Sequence, residues 1–469
     1  MKKYISQTSR RKFLSQMGCA ALGYSTFYSS IINLKALNAA AIDNSDVEAA
    51  GDYKAMVCIL LSGGNDSFNM LIPHEQSAYQ NYATTRSNLS IPHSDLLALR
   101  NQGSGLTTHA VHPGMTEVQT MYNNGELAFV SNVGTLIEPT TKEQFHNNSH
   151  RLPLGLLSHA DQIQQWQTGL PHERSATGWG ARVTEMIQSM NTNQNISMNI
   201  SLSGNNVFQQ GNGIFEFSIG SDGATGIYGF DNDWNIEQVR TDAIKNFMDH
   251  QYEDIFKQTY VNTIKNAHNA TLEFQEGMEH AQDFGNLFSS HYLSQNLEMI
   301  AKVISVQAEL GFNRQIFFVN FGGWDHHDDV IEEQNEMLPV LSKALYEFQQ
   351  ALKIINKQDE VTSFTISDFA RTLTSNGNGT DHAWGGNTIV AGGAVNGGKI
   401  YGQYPNLALK TNLDLGNGVL IPTTSADEYF AELALWYGVS SSEVHSIFPN
   451  LKNFYAQQST SSPIGFLNQ

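Results

Sequence analysis

Short, unbroken apolar runs alternate with longer amphipathic stretches along this chain, and the alternation predicts strands separated by helices. Residues 53–61 form the first apolar run, which stops at Ser62-Gly63-Gly64-Asn65-Asp66. A helical segment over 115–123 leads into a second strand at 126–133. Residues 316–321 are apolar, β-branched and aromatic, and Gly322-Gly323 closes them, so they predict a buried strand. Two more strands are expected at 361–366 and 387–391. From 235 to 311 the period turns helical, with Ile244, Phe247, Ile255, Tyr260, Ile264 and Leu272 near whole turns apart. Amphipathic helices are also expected over 335–356 and 421–436. Residues 170–230 are polar and rich in Gly, Asn and Ser. They predict short strands and loops, a lid or peripheral insertion within 170–300. Strands alternating with helices point to an α/β fold with a mainly parallel sheet.

With 469 residues, 40% of them hydrophobic, the chain has ample material for one large core. Its net charge of −19 argues against nucleic acid as a partner, because phosphate binding needs a basic face. The amino terminus carries Ser9-Arg10-Arg11-Lys12-Phe13-Leu14, a moderately apolar stretch and Ala39-Ala40-Ala41. This reads as a twin-arginine export signal over 1–41, with one domain following over 42–469. The apolar stretch is too polar for a stable membrane span. A periplasmic or secreted location follows, with the twin-arginine translocase as partner during export. Of Cys19 and Cys58 only the second survives removal of the signal, so no intrachain disulfide is expected.

Chemistry concentrates just past the strands. Asp325, His326, His327, Asp328 and Asp329 follow the 316–321 run, Asp66 follows the first strand, and Ser367-Asp368 follows 361–366. Asp381-His382 precedes the strand at 387–391. Each acid alone has a plainer reading, Asp66 as a helix N-cap among them. Acids and imidazoles repeated at one end of one sheet are what a divalent-metal site needs. Ser158-His159-Ala160-Asp161 opens a helix that runs to Thr168-Gly169. Ser158 is placed either as its N-cap or as a nucleophile aided by the helix terminus.

In combination, several motifs make the chain resemble the DUF1501 family, within the alkaline-phosphatase and sulfatase-like superfamily. They are Gly63-Gly64-Asn65-Asp66, His112-Pro113-Gly114, Ser158-His159-Ala160-Asp161-Gln162, Gly323-Trp324-Asp325-His326-His327, Ser367-Asp368-Phe369-Ala370-Arg371 and Gly379-Thr380-Asp381-His382. The resemblance implies an alkaline-phosphatase-like three-layer sandwich with ligands at the strand ends. It implies Asp66, Asp325, His327, Asp368 and His382 as metal ligands, with Asp381 sharing the site, and Ser158 or His159 as the nucleophile. Two divalent ions, Zn, Mn or Ca, would act on a small phosphate or sulfate ester, with Arg371 or His159 steadying the oxyanion. The competing expectation is a secreted binding or assembly protein on the same fold, without turnover.

Overall fold

The apolar run after residue 53 lies in the middle of a nine-stranded sheet. The structure is a computed structural model describing residues 53–102, 104–227, 229–230, 235–457, 459 and 461–468. The expected export signal lies outside them. Numbered in chain order, the strands of this sheet are β1 Lys54–Leu61, β2 Leu127–Gly134, β3 Asn199–Ser201, β4 Phe217–Ser218, β5 Arg314–Asn320, β6 Val361–Ser367, β7 Gly386–Ala391, β8 Ile400–Tyr401 and β9 Thr424–Ser425. Their order is β8-β2-β7-β6-β1-β5-β3-β4, with β9 beside β2.

β1 pairs in parallel with β5 on one side and β6 on the other, and all of it but Lys54 is buried. A strand with neighbours at both edges and helices over both faces has no solvent side, so its sequence does not alternate. The longer helices are α1 Gln76–Arg86, α2 Thr116–Asn123, α3 His159–Thr168, α4 Trp179–Ile187, α5 Asn235–Asp249, α6 Ile255–Met278, α7 Tyr292–Ser305, α8 Val330–Ile354 and α9 Ala426–Tyr437. α2, α7 and α8 pack together and against β2 and β5, while α3, α4 and α9 cover β6, β3 and β1. The result is the expected sandwich around a mainly parallel sheet. None of the described helices is long and apolar enough to cross a membrane.

Two expectations are corrected. Residues 170–230 contain α4 and also β3, which pairs in parallel with β5 inside the main sheet. Short runs such as Asn199–Ser201 look like a detached lid in sequence, because three residues of strand carry almost no periodic signal. The helix expected at 335–356 begins five residues earlier, at Val330. Asp329 turns the chain with φ +48° and Val330 is fully buried. Pro339 lies within that helix, and its ring packs where a side chain on Gly114 would have to go.

His112, beside that contact, is buried, and its Nδ1 accepts from Gly114 N at 3.1 Å. Burial pushes its imidazole down to about 4. The unfolded chain therefore takes up the proton first, near the ordinary ~6.5. Stability contributed by neutral His112 is present above pH ~6.5 and is lost as pH falls toward about 4. The loss approaches about 3 kcal/mol across that window. Urea midpoints measured from pH 7 to 4 should fall accordingly, and His112→Gln should flatten the slope.

Candidate metal centre

β6, β1 and β5 lie side by side and parallel, so their carboxyl ends deliver Asp368, the Gly63-Gly64 turn and Asp325 to one place. β7 runs antiparallel to β6, so the loop before β7 returns to the same end and brings Asp381 and His382. α3 starts there too, with His159 as its first residue. Gly63 has φ +118°, and a Cβ on it would stand 2.5 Å from Asp325 N. Only glycine permits that approach.

Three imidazole Nε2 atoms converge around Asp325 Oδ1. His382 Nε2 is 3.1 Å from His159 Nε2 and 3.0 Å from His327 Nε2. Asp325 Oδ1 lies 3.5 Å from His159 Nε2, 3.8 Å from His382 Nε2 and 3.1 Å from His327 Nε2. Among the described residues, His159, Asp325 and His382 form a group whose donor atoms all lie within 4.8 Å of one another.

The tautomers follow from the far side of each ring. His382 Nδ1 is 2.8 Å from the Leu157 carbonyl, which can only accept, so Nδ1 carries the proton. Leu157 holds φ +70°, a strained conformation for its residue type, and this aims its carbonyl at the ring. His159 Nδ1 donates to Asp368 Oδ2 at 2.7 Å, and Asp368 Oδ1 accepts from Gly63 N at 3.1 Å. With both Nδ1 positions protonated, the two facing Nε2 atoms present lone pairs to each other at 3.1 Å. No hydrogen bond joins two lone pairs; a cation between them does.

A tetrahedral ion with bonds of about 2.0–2.2 Å sets its donors about 3.3–3.6 Å apart. The edges of the His159–Asp325–His382 triangle, 3.1, 3.5 and 3.8 Å, bracket that range. A histidine ligand whose other nitrogen donates to a carboxylate or carbonyl is the usual outer-shell arrangement. The donor set therefore fits a divalent metal ion.

The remaining expected residues divide. His327 stands beside His382 and Asp325, with Asp381 Oδ1 3.4 Å behind its Nδ1. Asp368 is behind His159 rather than among the converging atoms. Arg371 is fully buried. It donates to Asp325, to the Gly63 and Thr380 carbonyls, and from Nε to the Gly64 carbonyl at 2.8 Å. Desolvation works to raise the Asp325 carboxyl, but the hydrogen bond and charge of Arg371, with His159 and His327 beside it, hold it below its ordinary value. Burial pushes His382 below its ordinary value, which keeps the ring neutral and ligand-competent.

Asp66 is not in the cluster. Its carboxylate is fully buried against Arg86 at the end of α1. Ser158 occupies the N-cap position of α3 but makes no side-chain cap hydrogen bond. His326 turns inward, 5% exposed, with neither ring nitrogen hydrogen-bonded. His250, His268 and His280 lie on or near α5 and α6; His268 meets Phe230 edge-on and His280 faces Glu309.

Sequence reading did not single out the Leu157 carbonyl or Arg86. A backbone carbonyl leaves no mark in sequence, and Arg86 is 20 residues from its partner. Gly379 carried a signal in the Gly379-Thr380-Asp381-His382 motif. A Cβ there would stand 2.2 Å from the His327 carbonyl carbon. Gly379→Ala is expected to displace His327 and to cost about 1–3 kcal/mol. A thermal melt and a metal titration on the variant check both effects.

Comparison with known proteins gives a family match. The sequence profile described as "Protein of unknown function (DUF1501)" matches residues 53–448. No curated protein sequence matches the chain. Among solved structures, Ps i-CgsB in complex with k-i-k-neocarrahexaose aligns at 11% identity and TM-score 0.33, covering 85% of this chain and 74% of that one. Ps i-CgsB alone aligns at 11% and 0.35, covering 86% and 77%. The lipoteichoic acid synthase LtaP from Listeria monocytogenes aligns at 10% and 0.29, covering 82% and 81%. At such scores the likeness is loose.

Proposed function

The chain belongs to the DUF1501 family, and on the site its matched residues build we propose an exported, metal-dependent hydrolase of phosphate or sulfate esters. The observation that carries this reading is the pair of Nε2 lone pairs, His159 and His382, facing each other beside Asp325. Such a donor set calls for a cation. The reading takes one ion rather than two, because Asp66 is committed to Arg86.

A divalent ion supplies Lewis acidity there and makes an attacking water more acidic. The chain's residues do the rest. His159, His382 and Asp325 hold the site, Asp368 and the Leu157 carbonyl fix the two imidazole tautomers, and Arg371 pins Asp325. His327 is about half exposed at the mouth with Asp381 behind it, placed to accept a proton from the attacking water and return it to the leaving oxygen. Arg371, whose donors are spent on carbonyls and Asp325, is a positioning residue rather than an oxyanion partner. We assign the attack to water, because His327 stands beside Asp325 to take its proton.

The test is metal content by mass spectrometry of protein purified without chelator, with ester hydrolysis assayed before and after metal removal. One equivalent, and turnover that disappears and returns with the ion, supports the reading. A second reading, a binding or assembly protein, is favoured by the Arg371–Asp325 ion pair, which partly satisfies the carboxylate without an ion. It predicts no turnover, whether or not metal is bound.

A further inference from the structure

The charges around the centre point to the kind of ester it accepts. Asp325, Asp368 and Asp381 stand at it, and Asp328 and Asp329 follow His327 on the same loop, five carboxylates in all. Of the arginines and lysines, only Arg371 is ion-paired to any of the five among the described residues. Arg371 is fully buried with its donors committed, and Arg86 is spent on Asp66. Asp328 and Asp329 are exposed and share the Asn378 amide rather than a cation. Five acids against one guanidinium leave four negative charges, and one divalent ion brings the total to two.

We propose that the site selects esters carrying a single negative charge, sulfate monoesters or phosphate diesters, over the doubly charged phosphate monoester. The inference rests on the hydrolase reading above. A phosphate monoester brings two negative charges through a rim of like sign, and the exposed Arg174 is already paired to Asp161 of α3. A sulfate monoester or phosphate diester brings one, and the Coulomb penalty scales with that charge. The same field slows the approach of the dianion more steeply than that of the monoanion.

The experiment compares kcat/KM of the metal-loaded protein for p-nitrophenyl sulfate, bis(p-nitrophenyl) phosphate and p-nitrophenyl phosphate. At least about a tenfold preference for one of the first two supports the proposal, and which one it is separates sulfate from diester chemistry. A preference for p-nitrophenyl phosphate overturns it and leaves the hydrolase reading standing. Turnover of none, with metal bound, overturns the hydrolase reading itself. A double variant, Asp328→Asn with Asp329→Asn, removes two rim charges. It preserves hydrogen bonding, and asparagine suits the positive φ at 329. If it raises kcat/KM about threefold for the singly charged substrate, the doubly charged one should gain about tenfold, because the logarithm scales with substrate charge. Both gains should shrink in high salt. Equal gains for the two charge classes, or none, overturn the electrostatic account.

Discussion

Asp325→Ala is expected to release the ion and abolish turnover, with metal affinity falling at least about a hundredfold. Among the described residues, Asp325 Oδ1 is the one carboxylate oxygen within 3.8 Å of all three imidazole Nε2 atoms. Its loss leaves neutral rings and the buried Arg371 charge around the same point, a poor place for a cation. Removal of an outer partner typically weakens a metal site only 10–100-fold. Asp368→Asn, which disturbs His159 from behind, should therefore fall in that smaller range. Isothermal titration with zinc on both variants, with circular dichroism to show that each folds, orders the two effects. Full metal content in Asp325→Ala would sink the assignment.

The second large effect is on stability. Asp66 and Arg86 are an ion pair with both side chains fully buried. Breaking such a pair from one side strands a charge away from water and costs about 3–5 kcal/mol. Asp66→Ala should lower the melting temperature by several degrees, while the folded protein keeps its metal. The arrangement shows why. Arg86 also donates to the Thr372 carbonyl at 3.1 Å, so the pair ties α1 to the segment after β6. Loss of metal at unchanged stability would return Asp66 to the ligand set.

Much of the fold was legible because its central strands have no exposed face. β1 and β5 read as largely apolar runs and β6 as a β-branched one, each ended by Gly or Ser and an acid, and their limits fall within two residues of those expected. The strands β3, β4, β8 and β9 span two or three residues each and were not resolved as members of the sheet. Short segments gain their structure from a partner strand, and the partner is distant in sequence.

For the site, the residue types and the end of the sheet were fixed by local sequence. An acid just past a parallel strand must emerge at the carboxyl end, and Asp325, His327, Asp368, Asp381 and His382 all do. Division of labour among them was decided only in three dimensions. Asp66 and Asp368 follow parallel, adjacent strands and look equivalent along the chain. Arg86 takes the first, and the second turns to His159 Nδ1. His159 meets His382 across 223 positions, and its role as a converging donor depends on which ring nitrogen faces inward. That orientation is set by Leu157 and Asp368 through hydrogen bonds. Strand order and the reversal of β7 supply those contacts, and neither is encoded in any window of sequence short enough to read. Residue chemistry and strand ends were therefore local properties of this sequence, whereas ligand, outer partner and buried ion pair were assigned by long-range packing.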